Sequence, residues 1–340
     1  MKKNILFCGT PFFAVASLMS LFKHQNELNY LLRGVVTIPD KIAGRGQKAR
    51  ESAIKKEAKR LQLPIFTPKD LSERKFMNEI EKLNLDLIIV VAFKKLPKLL
   101  FEKPKIGTIN LHASLLPKYK GAAPINWAII NGEKDTGLTT FFINEVIDAG
   151  DIILQSSINI NHEWHANELH DALMNNSDEI IKKTIKTVLS GCYKRQIQTK
   201  VINPATEYAR KIKKSDLIID NLFWQKKTLQ EIYNFMKGMS PPGIRVRILI
   251  QKNNNENMKK NIIITRVGDY KTISPSLNRS KIDSIYIDTA YKNQIIVTNV
   301  SESFNIKKLK TENGKELSSQ DFYNGFIKNK NTSNQISICK

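Results

Sequence analysis

Unbroken apolar runs set the texture of the first half of the chain, and short alternating runs that of the second. Asn4 to Cys8 is apolar, Gly9-Thr10-Pro11 breaks it, and Phe12 to Phe22 places apolar residues at helical spacing. Arg33 to Ile38 (RGVVTI) reads as a second strand. A polar loop, PDKIAGRGQKAR, follows, and then a helix from Glu51 to Leu61. Asp86 to Ala92 (DLIIVVA) is apolar throughout between charged flanks, the pattern of a strand buried on both faces. Thr108 to Leu111 is a further strand, Pro124 to Ile130 a helix, and TGLTTFFINEV an alternating strand. After the turn Asp148-Ala149-Gly150-Asp151 come a strand from Ile152 to Ile160 and a helix from Ala166 to Leu189. Strands alternating with helices predict an α/β domain on a parallel sheet.

Gly191 to Pro204 loses the periodicity and reads as a linker. Beyond it, Leu222 to Lys237 is a helix, followed by short β-rich runs: GIRVRILI, KNIIITRV, SIYIDTA, NQIIVTN and FNIKKLK. Short strands at regular spacing predict a small β-barrel. The expected organisation is a catalytic domain over 1–195, a linker over 196–207 and a β-barrel domain over 208–340.

Charge changes the picture next. The 340 residues carry a formal net charge of +22, from 43 Lys and 11 Arg against 32 acidic residues. Residues 196–340 hold 25 cations against 12 anions, a net of +13, and residues 1–195 hold 29 against 20, a net of +9. A basic barrel behind an α/β enzyme points to a nucleic-acid partner. Lysine-, asparagine- and isoleucine-rich composition also follows from A+T-rich coding, so charge alone does not decide. Three cysteines are too few for a disulfide framework or a zinc site, which fits a cytoplasmic protein. No apolar run reaches the roughly 18 residues of a membrane span. The N-terminus imitates a signal peptide, but Gly9-Thr10-Pro11 interrupts its apolar run.

Candidate chemistry concentrates at the end of the strand that starts at Thr108. Ligands in open α/β sheets sit at the carboxyl ends of strands. Asn110 and His112 lie there, two residues apart on an extended segment, and so on one face. An amide and an imidazole side by side suit a developing oxyanion and a moving proton. Asp148, 36 residues beyond His112, would orient the ring. The competing reading is a satisfied core histidine and a turn-forming aspartate. Ser114 lies in no nucleophile elbow and Cys8 has no activating partner in sequence, so a reaction without a covalent enzyme intermediate fits, such as acyl transfer to an amine. His162, His165 and His170 lack a metal-site spacing and read as cap and surface residues. No dinucleotide fingerprint or phosphate-binding loop is present. The AGRGQKAR loop offers Arg45, Lys48 and Arg50 around two glycines, either to phosphates or to solvent.

FCGTPFFA, PDKIAGRG, INLHASLLPKYKGAAPINWAI, TGLTTFFI and VIDAGDII, in this order and spacing, closely resemble the methionyl-tRNA formyltransferase family. The resemblance covers nearly all of 1–195 and continues more weakly into EYARKIKKSD and the basic end. It implies a Rossmann-like formyltransferase domain joined to an OB-like barrel. It also implies transfer of the formyl group of 10-formyltetrahydrofolate to the amino group of methionine on initiator tRNA. Carried onto this chain, the pattern makes Asn110, His112 and Asp148 catalytic and sets Ser114, Leu115, Leu116 and Pro117 against the folate. Arg45, with Lys48, would contact tRNA, as would Lys211, Lys213 and Lys214 at the domain junction and Arg245 and Arg247 on GIRVRILI. No metal, membrane or DNA partner is expected, and a monomer is.

Two segments depart from the family pattern. Where relatives carry an A-Y-G-x-x-L-P loop that helps hold the pterin, this chain has AFKKLP, one residue shorter and with two lysines. Where relatives carry N-P-x-P-G, it has MSPPGIR. Two other readings stay open on sequence. One is a folate-dependent formyltransferase acting on a glycinamide ribotide or an amino sugar. The other is a tRNA-binding relative with weakened catalysis.

Overall fold

A computed structural model describes residues 2–43, 48–199, 201, 203, 206–251, 257–273, 286–288, 294–299, 301–327 and 335–338. The chain divides into two compact units. The first comprises Met1–Pro124, Asp135–Asn159 and His170–Ala209; the second comprises Ile125–Lys134, Ile160–Leu169 and Arg210–Lys340.

The first unit opens with β1 (Lys3–Gly9), α1 (Phe13–Lys23) and β2 (Tyr30–Val36). The segment expected to be a polar loop instead forms an antiparallel hairpin, β3 (Lys41–Ala43) with β4 (Lys48–Arg50). The tip of that hairpin, which carries Arg45, lies outside the described residues. Then come α2 (Ala53–Arg60), N-capped by the Ser52 hydroxyl, β5 (Ile65–Phe66) and α3 (Arg74–Lys82). β6 (Leu87–Val91) is buried at every position, as its unbroken apolar run requires. After it stand α4 (Lys98–Phe101), β7 (Gly107–His112), β8 (Lys120–Gly121), α5 (Pro124–Ile130), β9 (Asp135–Phe142), β10 (Ile152–Asn159), α6 (Ala166–Leu189) and β11 (Tyr208–Ala209).

The main sheet runs β10-β9-β7-β6-β1-β2-β5. From β7 to β5 it is parallel; β9 and β10 are antiparallel additions, so the sheet is mixed at this edge. β9 does not alternate as its letters suggested. Seven of its eight residues are buried, because it is paired on both sides, and the alternation falls on the edge strand β10. On one face of the sheet, Leu6, Cys8, Ile88 and Val90 pack against Phe76 and Ile80 of α3 and against Leu96, Leu100 and Phe101. Phe76 and Ile80 stand four apart on one helical stripe, and each burial contributes about 1.5–3 kcal/mol.

The second unit takes in α5 from Ile125 on and the first turn of α6, and in its C-terminal stretch forms α7 (Asn221–Lys226) and α8 (Leu229–Gly238). One helix was expected here. Thr228 divides it by forming a capping box with Glu231, while Lys227 stays extended. The strands are β12 (Ile244–Gln251), β13 (Asn257–Thr272), β14 (Tyr286–Asp288), β15 (Ile295–Thr298), β16 (Glu302–Thr311), β17 (Leu317–Ser318) and, after α9 (Ser319–Phe322), β18 (Gln335–Ile338). They form an antiparallel sheet in the order β14-β15-β16-β13-β12-β18. Its end strands β14 and β18 come within 8 Å of one another, which gives the barrel-like curvature anticipated from the short strands. Leu229, Ile232, Tyr233 and Met236 of α8 fill the concave side against Ile244, Val246, Ile264 and Phe304. No helix among the described residues is long and apolar enough to cross a membrane.

Candidate active site

β7 places Thr108, Asn110 and His112 on one face by strand alternation. Thr108 marks which face, since its hydroxyl donates to the Phe101 carbonyl at 2.7 Å. Asn110 sits between Val90 of β6 and Phe141 of β9 and is half-buried. Among the described residues its amide makes no hydrogen bond, so its donors are available to a ligand. His112 is 6% exposed, with Nε2 at 2.8 Å from the Tyr119 carbonyl oxygen and Nδ1 at 3.6 Å from Asp148 Oδ2. Both ring nitrogens therefore face acceptors. A ring carrying N–H on both satisfies the two together.

Asp148 is held by its backbone. Its φ is 51°, a left-handed conformation that Asp tolerates better than most residues. Its Oδ2 accepts the Gly121 N–H at 2.8 Å. Gln198 Nε2 donates to the carbonyls of Asp148 (2.9 Å) and Gly150 (2.8 Å) and pins the turn. A Cβ on Gly150 would lie 1.7 Å from the Phe142 carbonyl oxygen, so only glycine fits there.

The turn after His112 is strapped to the antiparallel strands. The Thr139 hydroxyl donates to the Ser114 carbonyl (2.6 Å) and accepts from the Leu116 N–H (3.1 Å). Gln155 Nε2 donates to the Leu116 carbonyl at 2.8 Å. Ser114 is fully buried with its hydroxyl donated to the Lys118 carbonyl at 2.6 Å, and Leu116 is buried with Phe141 and Ile152. Of the four turn residues expected to lie against folate, only Leu115 and Pro117 leave side-chain surface accessible.

The other candidates separate. Burial pushes the Cys8 thiol well above its ordinary range, so it is no nucleophile. His165 is not a surface residue as expected: it is 1% exposed, with Nε2 accepting the Val267 N–H at 3.2 Å. That places its proton on Nδ1, which faces the Glu163 carbonyl at 3.3 Å. His162 is exposed as expected. No cluster of metal-ligating side chains occurs among the described residues. Lys48 opens β4. Lys211, Lys213 and Lys214 are exposed, and Arg245 and Arg247 are exposed on one face of β12 with Val246 between them at 3%. Both groups belong to the second unit, where Ile218 bridges to Arg245.

Sequence reasoning missed Gln198, Thr139, Gln155 and the backbone acceptor at Tyr119. Gln198 and Asp148 lie 50 residues apart and act through backbone carbonyls, which leave no pattern in the letters.

A family model described as formyl transferase matches residues 1–185. A methionyl-tRNA formyltransferase of Flavobacterium johnsoniae is 45% identical over 258 residues, 76% of this chain and 79% of that protein. Another, of Parabacteroides distasonis, is 37% identical over 332 residues, 96% of this chain and 97% of that protein. Among solved structures, a sugar 3N-formyl transferase crystallised with dTDP and 5-N-formyl-THF aligns with a TM-score of 0.60. It covers 93% of this chain and 100% of its own at 22% identity, a likeness of fold.

Proposed function

This chain belongs to the methionyl-tRNA formyltransferase family, and on that premise we propose that the β7 site carries formyl transfer to methionyl-tRNA with Asn110, His112 and Asp148 as catalytic residues. The chain is a formyl-transferring enzyme with a folate co-substrate. The donor in this reading is 10-formyltetrahydrofolate and the acceptor the amino group of methionine on initiator tRNA.

The observation that carries the assignment is the His112–Asp148 pair at 3.6 Å, beside an Asn110 amide with no protein partner among the described residues. The folate supplies a formyl carbon bonded to a nitrogen that can leave. Asn110 donates its amide N–H to the formyl oxygen as the methionine amine adds and negative charge builds there. In this reading His112 exchanges the Tyr119 carbonyl for the same oxygen at Nε2, with Asp148 still facing Nδ1. Asp148 provides the anionic end of the proton path. The new C–N bond forms to the methionine nitrogen, the bond to the folate nitrogen breaks, and the amine proton ends on that folate nitrogen. Leu115 and Pro117 suit an apolar wall for the folate, since both keep exposed apolar surface beside the catalytic row.

Lys211, Lys213, Lys214, Arg245 and Arg247 of the second unit, with Arg45 and Lys48 of the first, form the tRNA-contacting set in this reading. The exposure of Lys211, Lys213, Lys214, Arg245 and Arg247 and the common sign of the set support it. The purified chain tests the whole proposal: formyl transfer from 10-formyltetrahydrofolate to methionyl-tRNA is expected. Transfer to glycinamide ribotide or an amino sugar instead, or tRNA binding without transfer, would overturn it.

A further inference from the structure

α5 sets the Trp127 indole against the segment that follows β11, and a guanidinium lies over its ring. The helix is clasped to α8: Asn126 Nδ2 donates to the Gly238 carbonyl at 2.7 Å, and a Cβ on Gly238 would lie 2.8 Å from the Asn126 carbonyl oxygen. Trp127 Nε1 donates to the Arg210 carbonyl at 2.8 Å, and Arg210 Cζ stands 5.0 Å from the centre of the Trp127 ring. Nη1 and Nη2 of Arg210 both donate to Asp216, at 2.7 and 2.9 Å, a forked pair in the guanidinium plane. The Lys213 N–H donates to the same carboxylate at 2.6 Å. The Arg210 bond first, and the Lys213 N–H second, hold the Asp216 carboxyl down at about 2, so the pair stays ionised at neutral pH.

A phosphate contact draws on charge that the protein has left free, and the neighbouring Lys211, Lys213 and Lys214 are exposed cations. Arg210 is different. Its charge is matched by Asp216, yet its side chain is 54% exposed. With its forked edge on the carboxylate and the Trp127 ring beneath it, what it offers to solvent is chiefly a flat face held in one orientation. Guanidinium planes and aromatic rings of this kind are what unpaired nucleobases stack on. Arg210 is also bonded directly to Ala209, and Ala209 pairs with Gly121, whose N–H holds Asp148. An acceptor whose aminoacyl end is at β7 has its preceding nucleotides, unpaired in tRNA, to place within reach of that short ladder.

We propose that Arg210, backed by Trp127 and fixed by Asp216, stacks on a nucleobase of the unpaired 3′ end of the acceptor tRNA. The assignment rests on the tRNA reading above and deepens it: the junction lysines hold phosphates, whereas Arg210 holds the face of a base. An unpaired base offers a free face, and a base stacked within a helix does not. Because every base has such a face, the contact is tolerant of base identity. It fixes the path of the single strand and leaves the total charge of the interface unchanged.

Equilibrium binding of the full chain to deacylated initiator tRNA, and to the same tRNA made abasic at each unpaired 3′ nucleotide in turn, tests this. At one of these positions, loss of the base is expected to weaken wild-type binding about 5- to 30-fold. Arg210→Lys keeps the charge but not the plane. It should weaken binding of the intact tRNA by a similar factor, yet bind that one abasic tRNA as well as wild type does. Trp127→Leu, which removes the ring beneath, should behave the same way. The log–log salt slope of Arg210→Lys should stay that of wild type, since no phosphate contact is lost. Its KM for methionyl-tRNA should rise with kcat changed by less than about 3-fold. Equal weakening of intact and abasic tRNAs by Arg210→Lys would make the cluster a structural tether and overturn the proposal. So would a flatter salt slope, which would assign Arg210 to a phosphate, or the absence of any base effect in wild type. Wild type that binds no tRNA would sink the tRNA reading and the stack together, whereas normal binding and formyl transfer with no base-dependent effect of the variants would sink the stack alone.

Discussion

Replacing Asp148 with Asn isolates the charge of the site from its shape. Asn accepts the left-handed backbone that Asp148 adopts at φ 51°, and its amide oxygen can still receive the Gly121 N–H. What disappears is a negative charge 3.6 Å from His112 Nδ1, where the side chains are 7% and 14% exposed. At that separation two unit charges interact by about 1 kcal/mol at the dielectric of water and about 5 kcal/mol at an effective value of about 20. The pair lies between these limits, so the loss of transition-state support corresponds to a rate reduction of roughly 10-fold to a few thousandfold. Steady-state formyl transfer, with both substrates varied, should show that loss in kcat with KM for folate and methionyl-tRNA changed by less than about 3-fold. Asp148→Ala also removes the acceptor for Gly121 and should fall about a further 5- to 10-fold. An Asn variant turning over within threefold of wild type would refute the idea that the carboxylate charge supports His112.

His165 should make the fold acid-sensitive. Burial, with the nearby Arg266 cation and only partly offset by Glu168, pushes its pKa down from 6.5 to about 4. The unfolded chain therefore takes up the proton first, and stability fully present above about pH 6.5 is lost as pH falls toward 4, by roughly 3 kcal/mol. Urea unfolding at pH 7 and 4.5 should show a smaller drop for His165→Gln than for wild type; equal drops would assign the acid sensitivity elsewhere. Gln198→Leu frees the carbonyls of Asp148 and Gly150, and at about 1 kcal/mol per lost hydrogen bond it should slow formyl transfer roughly 10- to 30-fold. Unchanged turnover would reduce Gln198 to a tether of its own segment. For Arg245→Glu with Arg247→Glu, tRNA affinity against salt should show a flatter log–log slope, by about 0.7–0.9 for each phosphate no longer neutralised, and identical slopes would make both arginines solvated surface.

The sequence made the parallel part of the sheet legible because burial on both faces leaves an unbroken apolar run, and β6 bears that mark at all five positions. The polar row proposed as catalytic stood out in the letters for a related reason: a polar pair two apart at the end of such a strand serves no packing purpose. Other features depended on partners far along the chain. β9 reads as alternating by its letters, yet its polar threonines are buried because Thr139 and Thr140 find hydrogen-bond partners at the Ser114 carbonyl and the Thr184 hydroxyl. His165 reads as surface beside exposed His162, and it is buried because the Val267 N–H, 102 residues away, needs an acceptor. The split between α7 and α8 was present in the letters as Thr228 followed three residues later by Glu231. Apolar periodicity on both sides concealed it.

The residues that hold Asp148 show why a site of this kind resists reading from letters alone. The carboxylate is one side chain, but its position is set by Gly121 N–H, by the Gln198 amide on two carbonyls, and by a Gly150 that nothing larger can replace. Gly121 itself has φ 111° and would place a Cβ 2.9 Å from the Ala209 carbonyl oxygen, so β8 and β11 approach closely only because it is glycine. That approach aligns the Gly121 N–H with Asp148. A substitution at Gly121 would therefore act on the charge beside His112 without touching either residue of the pair. It should lower kcat more than it weakens folate binding, because the Asn110–His112 row stands on β7 and not on β8.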